Sequence, residues 1–375
     1  MAGNYGFLTT YPPTQCGLAT FSAALLRHLT ALVPGSRGEV VRVVDEAGLP
    51  PAADVVHDLV NGSPRSLRTS AEVLNGFDVV IVQHEYGIYG GRDGEELIDL
   101  LDALSVPVIV VLHTVLSQPS RHQQVVLTRV VDRVDAVVTM SDTAAQRLLD
   151  GYKVDPGKLW VIPHGAPADV PATPVLTRAR PTILTWGLLG PGKGIESAIA
   201  ALPGLRDLAP RYVVAGQTHP KVLAAQGHAY YDSLRAQAVA SGVADLVEFV
   251  PSYLDPHALG QRIRQADIVL LPYDSTEQVT SGVLVEAVAA RRPVVATRFP
   301  HAVELLSGGC GLLVPHQDPA ATCRALRRVL TEPGLAAAMA GKASVLAAEL
   351  RWPAVAKRYR ALADNLLTAG TGALR

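Results

Sequence analysis

Short apolar runs rich in valine and isoleucine alternate with helix-length amphipathic stretches along the whole chain, which predicts an α/β architecture. In the first half, residues 5–10, 40–44, 78–83, 107–112, 135–140 and 159–162 carry apolar side chains at consecutive positions. That is the pattern of strands buried on both faces of a parallel sheet. Helical spacing over 19–33, 95–103 and 121–133 falls between them. Residues 163–181, PHGAPADVPATPVLTRARP, then break the rhythm with five prolines and no period, which predicts a connector between domains. The alternation restarts at 182–187, 211–216, 247–252, 266–273, 292–298 and 311–315, so the expected fold is two doubly wound domains facing a central cleft. A last helical stretch, 351–367, places Trp352, Val355, Ala356, Tyr359, Leu362, Ala363 and Leu366 near one face. Pattern alone lets it dock on the first domain or close the second.

Composition supports this division and narrows the partners. A chain of 375 residues with 49% hydrophobic content has material for two cores. A net charge of -1, from 33 basic and 34 acidic residues, gives no general attraction to nucleic acid or anionic lipid. Three scattered cysteines, Cys16, Cys310 and Cys323, suit neither a disulfide framework nor a spaced zinc site, and point to a reducing, cytoplasmic setting. The opening MAGNYGFLTTYPPTQCG lacks a secretory core, and the apolar runs are too short to span a bilayer. Peripheral membrane contact stays open, and oligomeric state is not legible.

Helix starts carry the candidate chemistry, because their unpaired amides and partial positive charge accept phosphate. In TYPPTQCGLATF, Gly17 opens a helix after a proline-stopped strand, without the GxGxxG spacing of a dinucleotide fold. The same residues also make an ordinary sharp turn. In TWGLLGPGKGIESAI, Lys193 sits in a glycine-rich turn that is not a Walker loop, as a phosphate reader or a solvated lysine. In EQVTSGVLVEAVAARRPVVAT, Thr280, Ser281 and Gly282 start a helix over 283–290. Glu286 lies one turn inside it on the face of Gly282 and Ala290, as a reader of vicinal hydroxyls or an acid favoured near a helix start. Two further polar loops follow buried strands. HEYGIYGG brings His84, Glu85, Tyr86 and Tyr89 to one edge, where the tyrosines could stack on an acceptor sugar, and His113 ends IVVLHT.

Taken together, TQCGLATF, LHT, VIPHG, GLLGPGKG, VTSGVLVEAVAARRPVVAT, GLLVPHQDP and the Trp352 segment resemble the retaining glycosyltransferases of family 4, which have the GT-B fold. The resemblance covers nearly the whole chain. It implies an acceptor-side Rossmann-like domain, 1–170, completed by a returning helix, 355–375, and a donor-binding domain, 171–354. It implies that Glu286 holds the donor ribose, Lys193 the diphosphate, His113 the region of the donor sugar, and Gly17 the phosphates, with Thr280, Ser281, Gly282 and Val283 alongside. Three positions depart from the family. Gln278 stands eight residues before Glu286 where a second glutamate is usual, and Leu188 stands five before Lys193 where arginine is usual. Arg121, Arg129, Arg178, Arg180 and Arg298 are candidates to replace that lost charge. Cys16 replaces the first glycine of a Gly-Gly pair. The implied reaction moves a hexose, first mannose from GDP-mannose and next glucose from a UDP-sugar, to a carbohydrate or small-molecule hydroxyl with retention, without a metal or cofactor. Nucleotide-sugar hydrolysis or epimerisation, and noncatalytic binding of the same ligand, are the alternatives.

Overall fold

The computed structural model describes residues 2–167 and 180–372. Most of the expected connector, with Arg178, lies outside the described residues. One compact unit comprises the chain to Gly165 together with the chain from Trp352 onward, and the other is Ala166–Arg351.

The first unit is built on seven parallel strands: β1 (Asn4–Thr9), β2 (Arg37–Val44), β3 (Val55–Val60), β4 (Val79–His84), β5 (Val108–Leu112), β6 (Ala136–Thr139) and β7 (Leu159–Val161). Their order is β3-β2-β1-β4-β5-β6-β7, so the topology reverses between β1 and β4. Each strand expected here is found near its place, and β3 is an addition. It pairs on β2 alone, and its VVHDLV carries polar residues mid-run, the mark of a half-exposed edge rather than a two-faced core strand. Asp58 of β3 takes the buried Arg42 guanidinium in two hydrogen bonds of 2.7 and 3.0 Å. The helix expected over 19–33 runs over Gly17–Thr30, because Cys16 caps it two residues earlier with its Sγ accepting from the Ala19 amide.

The terminal helix, Trp352–Gly372, packs on this unit. Trp352, Val355, Tyr359, Leu362 and Ala363 share one buried cluster with Phe21, Leu25, Leu29, Ile81 and Val111. Gly165 leaves room for the indole, since a Cβ there would come within 2.2 Å of the Trp352 ring.

The second unit has six parallel strands: β8 (Thr182–Trp186), β9 (Arg211–Ala215), β10 (Val247–Val250), β11 (Ile268–Leu271), β12 (Val294–Thr297) and β13 (Gly311–Val314). Their order is β10-β9-β8-β11-β12-β13, and the reversal lies between β8 and β11. Apolar clusters cover both faces of this sheet, as the unbroken valine and leucine runs require. Both units are Rossmann-like. Each therefore opens a crevice at the carboxyl ends of its strands, where the topology reverses. No helix among the described residues is long and apolar enough to cross a membrane.

Candidate active site

At the reversal in the second unit, β8 ends at Trp186 and the glycine-rich turn leads into helix Ile195–Ala201. Gly194 caps that helix at φ +66°, and a Cβ there would fall 1.7 Å from the Pro272 carbonyl oxygen, so only glycine fits. This closeness carries Lys193 to the end of β11, where its Nζ lies 4.7 Å from the centre of the Tyr273 ring. Burial pushes the Lys193 pKa down, and no carboxylate pairs with it among the described residues. The Tyr273 backbone is itself pinned, its carbonyl accepting from Thr297 Oγ1 at 2.6 Å and bonded to His316 Nδ1 at 2.8 Å.

The loop after β11 leads into helix Gly282–Ala289. Ser281 is its N-cap, buried, with Oγ accepting from the Leu284 amide at 3.2 Å, while its own amide donates to His301 Nδ1 at 2.8 Å. Its carbonyl accepts from Val285, which leaves the amides of Gly282 and Val283 at the open end of the helix. One turn on, the partly buried Glu286 accepts a hydrogen bond from Trp186 Nε1 through Oε2 at 3.3 Å. Burial raises its pKa to about 7, opposed by that hydrogen bond. Asp274 Oδ1 and Thr280 Oγ1, in the same loop, are buried without partners among the described residues. Gln278 turns its amide nitrogen to the Thr280 carbonyl at 3.0 Å, and Leu188 is partly buried in the glycine-rich turn.

The candidate arginines separate by position. Arg180 bonds the carbonyls of Ala209, Pro210 and Asp245 near the amino ends of β8 and β9, away from this edge. Arg121 and Arg129 sit exposed on helix Arg121–Asp132 of the first unit. Arg298, exposed directly after β12, is at the carboxyl edge of this sheet.

In the first unit, the reversal brings the ends of β1 and β4 together, with β5 beside β4. Gly17 begins the helix after β1, and nothing lies within 4 Å of a Cβ placed there. His113, just past β5, is partly buried and joined through Nε2 to Gln83 Oε1 at 2.7 Å. Burial pushes its pKa down to about 3, helped by His164 and His84 nearby. Glu85 accepts from Thr114 Oγ1 at 2.5 Å. The expectation that His84, Tyr86 and Tyr89 face an acceptor is corrected here. Tyr89 is 5% exposed and its hydroxyl donates to the Gln83 carbonyl, Tyr86 is 9% exposed, and His84 is wholly buried with its ring edge-on to Tyr86. The glycines around them shape a packed support, not an open stacking wall. Among the described residues no group of three histidine, cysteine or acidic side chains could hold a metal.

Residues 19–170 match the family model described as Glycosyltransferase Family 4, and residues 180–332 match that described as Glycosyl transferases group 1. The chain belongs to glycosyltransferase family 4. The family-4 chain is 30% identical over 240 residues to the D-inositol 3-phosphate glycosyltransferase of Acidothermus cellulolyticus, covering 60% of this chain and 51% of that protein. The namesake from Geodermatophilus obscurus is 28% identical over 300 residues, 72% of this chain and 62% of the relative. The chain thus spans about half to three fifths of the length of these curated relatives. Among solved structures, a glycosyltransferase from Rickettsia africae superimposes with TM-score 0.76 at 14% identity, covering 98% and 99% of the two chains. Anabaena HepE in complex with UDP and glucose gives TM-score 0.76 at 16% identity, covering 97% and 100%. These likenesses establish the GT-B fold of this family-4 protein.

Trp186, Tyr273, His301 and Gln83 are the participants that sequence reading missed. Each bonds or stacks on an expected site residue from a different segment, so no local spacing announces it. Only Trp186 carries a faint signal, as a polar-tipped aromatic ending a buried strand beside a glycine turn.

Proposed function

We propose that this family-4 protein is a retaining glycosyltransferase that binds a nucleoside diphosphate sugar on its second unit. The observation that carries this reading is Lys193: a partly buried, desolvated cation without a carboxylate partner among the described residues, at the strand reversal that also brings in Glu286 and a helix start. An unpaired buried charge is costly, and a bound diphosphate would compensate it. Glu286 accepts the ribose hydroxyls, with Trp186 holding one carboxylate oxygen. Gly282 and Val283 supply amides to the phosphates. As the glycosidic bond breaks, negative charge grows on the departing diphosphate, and Lys193 with these amides stabilises it.

The first unit takes the acceptor, a carbohydrate or small molecule, with His113 contacting sugar hydroxyls and Glu85 in the adjoining loop. The scheme calls for no metal ion or cofactor. GDP-mannose is the first donor to test, on the family resemblance. A UDP-hexose is the second, a choice supported by the UDP and glucose held by HepE. The name shared by the curated relatives makes a phosphorylated cyclitol the first acceptor to screen.

Calorimetric titration of GDP- and UDP-sugars without metal, into wild type and Glu286→Ala, tests the donor site. Selective binding that collapses in the variant is the expected result. Folded wild-type protein that binds no nucleotide sugar, with or without Mg²⁺, would overturn the reading.

A further inference from the structure

Side chains alternate between faces along a strand, so Ile81 and Gln83 of β4 share a face, as do Ile109, Val111 and, just beyond β5, His113. Gln83 is in register with Val111, which sets it beside His113. Ile81, Ile109 and Val111 pack with Phe21 in the apolar core of this unit, and Gln83 ends that face as a fully buried amide. A glutamine kept there for stability alone would use both ends of its amide. Instead Gln83 Oε1 takes His113 Nε2 at 2.7 Å, while its own Nε2 finds no partner among the described residues. The surroundings fix the pair: the Tyr89 hydroxyl donates to the Gln83 carbonyl at 2.7 Å, and the His113 amide donates to the His84 carbonyl at 3.1 Å. Phe21 meets the imidazole edge-on at 5.0 Å between ring centres.

An amide oxygen can only accept, so the His113 nitrogen facing it carries the proton. In a neutral ring the other nitrogen then has only a lone pair. No other hydrogen bond of the His113 ring is formed among the described residues, and the residue is partly open. We propose that Gln83 is a positioning residue that fixes His113 as the Nε2–H tautomer, leaving Nδ1 as a hydrogen-bond acceptor for a sugar hydroxyl. This rests on the sugar-binding role given above to His113. It makes His113 select ligands that bring an O–H to this point.

The test reads the tautomer directly in the full chain. Protein labelled with ¹⁵N-histidine, with the His113 signal assigned by its loss in His113→Phe, is followed by long-range ¹H–¹⁵N correlation between pH 6 and 8. The expected spectrum has a protonated Nε2 and an unprotonated Nδ1. Gln83→Met, of similar size but without an acceptor, should bring in the Nδ1–H form, and Gln83→Glu should keep Nε2 protonated. A wild-type Nδ1–H tautomer, or an unchanged tautomer in folded Gln83→Met, overturns the proposal. Should Gln83→Met not fold, the wild-type and Gln83→Glu spectra still decide it. With a working donor and acceptor, Gln83→Met should lower kcat about tenfold at little changed KM, by the scale seen for lost ligand-orienting partners. Gln83→Glu should recover part of that loss. The spectra need no turnover, so a failure of the transferase reading would show separately as an inactive wild type with an intact tautomer pattern.

Discussion

Burial gives Glu286 and Lys193 opposite problems, and both can be tested residue by residue. The carboxyl of Glu286 is raised to about 7, so in the free protein it exchanges its proton near neutrality. A protonated carboxyl loses part of its capacity to accept from vicinal hydroxyls. Nucleotide binding should therefore strengthen as pH rises from 6 to 8, and titrations on Glu286→Gln should be weaker and flat over that range. Stability runs the other way. A folded-state pKa above the unfolded one favours the folded state most below the unfolded value, and this contribution is lost as pH climbs through about 7. Glu286→Gln should then be more stable than wild type at pH 8, on the order of 2 kcal/mol in denaturant unfolding, and the gap should close in acid. Lys193→Met removes a desolvated cation without opening a cavity. It should fold at least as well as wild type while losing about 10²-fold in kcat, the scale of one lost transition-state donor. A stable variant with full turnover would remove Lys193 from the chemistry. Of these residues the sequence showed identity and spacing. Their pKa shifts come from burial in the fold, and the neighbours that touch them, Trp186 for Glu286 and Tyr273 for Lys193, come from distant segments.

At the scale of elements, the site depends on how helices begin. Ser281 both caps helix Gly282–Ala289 and, through its amide, holds His301. Ser281→Ala should cost about 1 kcal/mol in unfolding experiments, the usual loss of an N-cap, and weaken donor binding by loosening the same turn. Gly194 is stricter, because its positive φ and the 1.7 Å approach of a Cβ to the Pro272 carbonyl combine. Gly194→Ala should displace the Lys193 turn from β11, seen as lost nucleotide binding in a protein that retains its circular dichroism. Most element positions were legible because buried parallel strands are apolar on both faces and leave unbroken runs. β3 escaped because an edge strand exposes one side and tolerates His57 and Asp58 within it. The tyrosines of the loop after β4 misled for a related reason. Flanking glycines read as an open loop, whereas in the fold they let Tyr89 turn under β4 and bond the Gln83 carbonyl.

At the scale of the whole molecule, the terminal helix joins chain ends that are remote in sequence. Trp352, Val355 and Tyr359 fill the same core as Phe21 and Leu25, so a chain ending at Arg351 exposes that core. Such a truncation should bind a hydrophobic dye and melt well below the full chain in calorimetry, with the loss falling on the unit built from β1–β7. The sequence by itself determined the α/β class, the repeat of one grammar in two halves, the helix starts and the residue types placed there. Those follow from periodicity and local backbone chemistry, which act over a few residues. Periodicity left the last helix between the two units, and only the tertiary structure decided which of the described candidate arginines reaches the carboxyl edge of β12, that Tyr86 and Tyr89 are buried supports, and that Gln83 grips His113. The physical reason is that parallel pairing sets strands side by side in an order different from the chain, here β1 beside β4 and β8 beside β11. Partners, burial and proton positions are properties of that arrangement, and no stretch of sequence contains them.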